Sequence, residues 1–176
     1  AAWYMPEERQ ITTKEQMLDE MCATLGGRAA EECFIGHIST GAMNDLERVT
    51  KQGYAMVAYA GMSENLSNLC YYNNQEYSFS RPYSEKTAEM IDTEVHKMIK
   101  EQYERAKALL NEHKEGHAEL ARILMEKEVI FAEDVEKIFG KRPWASRSEE
   151  IFDSNVNSES QAGTTPQESP AEAEEE

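Results

Sequence analysis

The chain has 176 residues, 34 acidic against 18 basic, for a formal net charge of −16. That length allows one modest domain and a tail, and an acidic chain without a basic stripe argues against nucleic acid as a partner. No run approaches the ~18 apolar residues of a membrane span, and nothing resembles a signal peptide.

Residues 1–10 read as extended or loop, with Pro6 breaking any helix. The opening Ala-Ala-Trp-Tyr-Met-Pro, without an initiating Met, reads as the interior of a longer chain. Thr12 with Glu15, or Thr13 with Gln16, fits a capping box. Met17, Leu18, Met21, Leu25, Ala29, Ala30, Cys33 and Phe34 then recur with helical period, which predicts a first helix over about 13–35. Inside it lie Gly26 and Gly27, each costing about 1 kcal/mol relative to Ala in a helix interior. A helix that accepts two glycines usually lets another backbone come close. Arg28 can meet Glu31 and Glu32 on one face, and Gly36 is a good stop.

Ser39-Thr40-Gly41-Ala42 turns the chain, and a second helix is predicted from about Asn44 to Ala60. Leu46, Val49, Gly53, Met56, Val57 and Ala60 share its apolar face, and Gly61 ends it. Asn44 with Glu47 forms a plausible capping box, which leaves Asp45 spare. Taken alone, Asp45 reads as a first-turn acid that complements the helix dipole.

Residues 62–83 hold two aromatic-rich runs, Leu69 to Tyr72 and Tyr77 to Phe79, which read as a short hairpin with tyrosines partly buried on the helices. Ser84 caps the longest helix, to about Leu110. Its seam is Ala88, Ile91, Val95, Met98, Gln102, Ala106 and Leu109, opposite a charged, solvated face that includes Glu94, Lys97 and Lys107. Two shorter helices complete the set, Ala118 to Glu126 and Ala132 to Phe139, the latter closed by Gly140. The expected fold class is therefore mainly α: a bundle of about five helices with a small β-hairpin. Residues 1–144 form the folded part. Residues 145–176, with nine acids and one Arg, read as a disordered acidic tail dispensable for catalysis. The three cysteines (Cys22, Cys33, Cys70) lack CxxC spacing and read as reduced, core-type thiols.

His113-Lys114-Glu115-Gly116-His117 places two histidines at i and i+4. A zincin needs Glu directly after the first His. Lys114 stands there, and Glu115 lies about 200° round a helix from His113. Gly116 sits where a helix is expected to break, so the segment reads as a surface turn. His37, just past Gly36, could approach a metal but reads as a solvated loop residue, and His96 reads as surface. The chain contains no HExxH and no GxxxxGK[ST].

LGGRAAEE and, after it, STGAMNDLERVT resemble the FtsH family of membrane-bound AAA+ zinc metalloproteases. The likeness continues through YSEKTAEMIDTEV and YERAKALL to LMEKEVI, covering roughly residues 1–144, the C-terminal part of such a peptidase domain. It implies that Asp45 is the third protein ligand of one Zn²⁺ per subunit, the other two being histidines of an HExxH motif outside this chain, whose Glu is the general base. It also implies ATP used by an AAA+ domain elsewhere, a homohexamer, unfolded or membrane protein substrates, and membrane attachment through spans this chain lacks. A bacterial inner membrane with the peptidase domain in the cytoplasm is the expected location, a mitochondrial inner membrane the alternative. By the same resemblance the chain alone is inactive. The alternative from another class is a non-catalytic helical protein-interaction module.

Overall fold

The capping choice at the first helix goes to Thr13: its hydroxyl accepts from Gln16 N at 3.3 Å, and the Gln16 side chain accepts from Thr13 N at 3.0 Å. This closed box starts α1, Lys14–Ala30. A computed structural model describes residues 11–71 and 83–141 of the chain. In it α1 runs on into one π-helical turn, Glu31–Ile35, closed by Gly36 at φ +81°. A 3₁₀ turn, Thr40–Ala42, leads into α2, Met43–Tyr54, which also widens into a π turn, Ala55–Tyr59. Then come α3, Glu85–Glu112, α4, Lys114–Lys127, and α5, Ala132–Phe139. Among the described residues every regular element is helical. None of these helices is long and apolar enough to cross a membrane.

The chain divides into two units, residues 9–130 and residues 1–8 with 131–176. In the first, α1 packs chiefly on α3 and α2 lies against both. Met21, Leu25, Val49, Met56, Ile91 and Val95 bury almost all their surface at this junction. A smaller cluster of Cys22, Ala29 and Ala106 continues the α1–α3 contact toward Tyr103 and Leu110. Gly53 leaves room for α3 against α2: a Cβ there would stand 3.0 Å from Val95 Cγ1. In the second unit, Phe131 N donates to Asp134 Oδ2 at 3.3 Å to start α5, and Gly140 at φ +82° ends it.

The predicted apolar faces hold along α1 and for most of α2 and α3, with departures of clear cause. Ala60 is exposed and Ala58 is buried instead, because the π turn adds a residue to the repeat and rotates the residues after it. Leu109 is 43 % exposed, and Leu110 packs against the small cluster in its place. Lys107 does not simply face solvent. It reaches Glu32 at 3.2 Å and lies 4.8 Å from the Tyr103 ring centre. Gly116 breaks no helix: α4 begins at Lys114, and the break falls on His113, at φ −102° and ψ 26°. Of the cysteines only Cys22 is buried, while Cys33 is half-buried and Cys70 exposed.

The expected hairpin lies mainly outside the described residues. Its described part turns at Ser63–Leu66, where Ser63 Oγ accepts from Leu66 N, and Tyr71 N bonds Ala58 O at 2.7 Å. Tyr71 and Tyr83 meet edge to face, 5.4 Å between ring centres, half-buried against the core. Residues 1–10 and 142–176, including the acidic tail, also lie outside the described residues.

A candidate metal-ligand segment between α1 and α2

The loop that joins α1 to α2 is held from the helix it leaves. Gly36 N bonds back to Glu31 O at 3.0 Å, which turns the chain out of the π turn. Three residues later Ser39 is gripped on three sides. Its N–H donates to Glu31 Oε2 at 3.0 Å and its hydroxyl donates to Glu31 Oε1. Its carbonyl accepts from Arg28 Nη1 at 2.7 Å. The Ser39 hydroxyl oxygen in turn accepts from Gly41 N at 3.1 Å, capping the 3₁₀ turn. The two bonds from Ser39 hold the Glu31 carboxyl below the usual carboxylate range, with a smaller pull from Arg28. Gly41 fits this turn closely: a Cβ would lie 3.2 Å from Ser39 Oγ.

Helix α2 starts at Met43, with Ala42 at the cap position and no side-chain cap. The expected Asn44–Glu47 capping box does not form. Ser39 and the 3₁₀ turn place Asn44 already inside the helix, and Glu47 pairs forward with Lys51 at 2.5 Å. The Lys51 hydrogen bond lowers the Glu47 pKa. Asp45 therefore sits at the third position of α2, exposed, and its side chain makes no hydrogen bond or ion pair with any described residue. Arg48, one position past Glu47, binds Glu20, and Gln52 Nε2 donates to Met17 O at 3.2 Å, so α2 is fastened to α1 just beyond Asp45.

Gly26 and Gly27 are open: a Cβ on either would meet nothing within 4 Å. His37 is exposed in the loop, and His96 is exposed on α3. His113 stands at the α3–α4 break, and the His117 ring stacks on Phe34 with 4.4 Å between centres and 13° between planes. Among the described residues no three His, Cys, Asp or Glu side chains converge as a metal site would require. What Asp45 offers is one unpartnered carboxylate, a donor that suits zinc.

The sequence pattern places Arg28 beside both glutamates of the next turn. The structure separates them. Glu31 turns to Arg28 and Ser39, whereas Glu32 accepts from Tyr103 Oη and from Lys107 Nζ at 3.2 Å. Those bonds, Tyr103 first, hold Glu32 below its ordinary value. The partner on α3 is 71 residues away, beyond any local signal.

The sequence pattern of peptidase family M41 matches residues 1–138. The chain is 67 % identical over 155 residues to an ATP-dependent zinc metalloprotease FtsH of Parabacteroides distasonis, covering 87 % of this chain and 23 % of the relative. It is 47 % identical over 152 residues to the mitochondrial ATP-dependent zinc metalloprotease FTSH 10 of Arabidopsis thaliana, covering 86 % and 19 %. Against the mitochondrial inner membrane m-AAA protease component AFG3L2 of Mus musculus the identity is 43 % over 149 residues, covering 84 % and 19 %. The chain thus spans about a fifth to a quarter of the length of these relatives.

Proposed function

The chain belongs to peptidase family M41, and we propose that it forms part of the peptidase domain of an ATP-dependent zinc metalloendopeptidase, with Asp45 as a zinc ligand. The family match over residues 1–138 carries this reading. The exposed carboxylate of Asp45, unpartnered among the described residues and at the start of a helix fastened to α1, supports the residue assignment. When bound, the zinc would lower the pKa of a water toward about 7 and polarise the scissile carbonyl. This chain's part is to hold Asp45 in place: the Ser39 turn sets where α2 begins, and the Arg48–Glu20 and Gln52–Met17 bonds keep its first turns from rotating. Gly26 and Gly27, open at the surface of α1, would let the helix bearing the other ligands come close.

The parent protein in this reading is a homohexamer anchored in a bacterial inner membrane, its peptidase domain in the cytoplasm, a mitochondrial inner membrane being the alternative. It takes unfolded or membrane proteins, and ATP is used by a domain outside this chain. Residues 1–144 belong to the peptidase domain and 145–176 form a tail not needed for cleavage. The test is metal removal from the full-length protein. A chelator should stop ATP-driven casein cleavage and added Zn²⁺ should restore it. Cleavage indifferent to chelation would refute the assignment.

His113 and His117 lie outside the proposed zinc site. His117 is engaged by the Phe34 ring, and Lys114 occupies the place of a zincin's general base. Replacing both histidines by Ala in the full-length protein should leave one zinc per subunit and lower stability by about 1 kcal/mol, the scale of one aromatic stack. Loss of that zinc would move the site to the α3–α4 joint.

A further inference from the structure

Two adjacent carboxylates on the π turn face opposite ways. Glu31 holds the loop that leads to Asp45, and Glu32 holds α3. We propose that Tyr103, on α3, is a positioning residue for Asp45, acting through the Glu32–Glu31 pair and Ser39. This rests on Asp45 being a zinc ligand.

The connection is continuous. Tyr103 Oη donates to Glu32 Oε2, and Lys107 Nζ donates to Glu32 Oε1 at 3.2 Å, so both oxygens of one carboxylate are engaged from α3. That fixes the backbone of the Glu31–Ile35 turn, where the helix is widened and its own hydrogen bonding is least regular. Glu31, the next residue back, then presents both of its oxygens to Ser39 N and Oγ. Ser39 Oγ caps the 3₁₀ turn through Gly41 N at 3.1 Å, and Asp45 comes four residues on. Arg28 closes the set by donating to Ser39 O. Among the described side chains only Arg28 and Glu31 hold Ser39, and Glu31 alone takes both its N–H and its hydroxyl, so the path of the turn into α2 leans on this carboxylate, and that carboxylate leans on its neighbour's anchor. Burial, then the Glu32 bond, pushes the Tyr103 pKa up to about 12, so its hydroxyl remains a donor at any working pH. A metal ligand must be held within a few tenths of an ångström, which is why partners outside the ligand shell matter.

The test compares Tyr103→Phe, Ser39→Ala and Asp45→Asn in the full-length protein. It reads the zinc dissociation constant by competition with a chromogenic chelator, Tm, and kcat and KM for a peptide substrate. Tyr103→Phe removes one hydroxyl and leaves the ring packed against Lys107. It should weaken zinc about tenfold, the lower end of what such outer partners are worth. It should lower kcat more than KM, and the double variant with Ser39→Ala should be weakened less than the product of the single effects. Should Tyr103→Phe fold poorly, Lys107→Met removes the other donor to Glu32 and carries the same expectation. Zinc affinity at the wild-type level in Tyr103→Phe, with only Tm lowered, would overturn the positioning role. Distinguishing the two readings is direct. If Asp45→Asn loses zinc and Tyr103→Phe does not, the positioning proposal alone fails. If Asp45→Asn also keeps zinc, the ligand assignment fails and takes the proposal with it.

Discussion

Asp45→Asn in the full-length protein should abolish casein cleavage and strip the zinc while ATP hydrolysis continues. The substitution keeps size and shape but removes the negative charge of the proposed ligand. Zinc affinity should fall by more than the roughly 10–100-fold that partners outside the ligand shell are worth. The fold gives little reason for any other effect. Asp45 is exposed, its side chain bonds to no described residue, and the cap position belongs to Ala42. Losing a favourable dipole interaction at a first helical turn costs only about 0.3–1 kcal/mol. Metal analysis, casein turnover and ATPase rate on one preparation check this. Zinc content and cleavage near wild type would return Asp45 to the role of a first-turn acid.

Leu25→Ala should produce the largest loss of stability of any single truncation on α1. Leu25 is 1 % exposed and sits in the cluster where α1 meets α3 and α2, with Met21, Ile91 and Val95 around it. Truncating a buried Leu to Ala costs about 2–5 kcal/mol, the transfer term plus the cavity left behind. With a urea dependence of about 1–3 kcal/mol per M for a small domain, the unfolding midpoint should drop by about 1 M or more. Leu124→Ala, on a residue 44 % exposed on α4, is the control and should change stability by less than about 0.5 kcal/mol. Equal midpoints for Leu25→Ala and wild type would mean that the α1–α3 contact is not the centre of the core.

The five helices were legible because each carries a period-3.6 apolar stripe, and their ends because Thr13, Ser84, Gly36 and Gly140 supply caps with a local mechanism. The two π turns were not. A π turn is one added residue with no propensity of its own, so its trace appears only afterwards, in Ala60 turned outward and Ala58 turned in. The start of α2, read at about Asn44, falls within one residue of Met43, but its cap was misassigned for a related reason. Asn44 and Glu47 satisfy the local rule for a capping box, but Ser39, braced by Glu31, begins the turn earlier and leaves no cap to fill. Gly116 misled in the same way: it is tolerated two residues into α4, while the break falls on His113.

The candidate site was legible in a narrower sense. An Asp in a first helical turn signals nothing special, and Asp45 stood out only through the resemblance of the segment around it. The clamp behind it was hidden. Arg28 with acids three and four residues on predicts a helical ladder, and its Glu31 rung forms at 3.6 Å, but Glu31 also binds Ser39 eight residues on and Glu32 finds Tyr103 on another helix. Such pairings depend on the packed fold, and no spacing rule in one chain encodes them.

The most direct measurement of the central claim is anomalous scattering at the zinc absorption edge from crystals of the full-length protein. A zinc peak within about 2.0–2.2 Å of an Asp45 carboxylate oxygen is the predicted result. A fully occupied zinc elsewhere, with the Asp45 carboxylate facing only solvent, would contradict it.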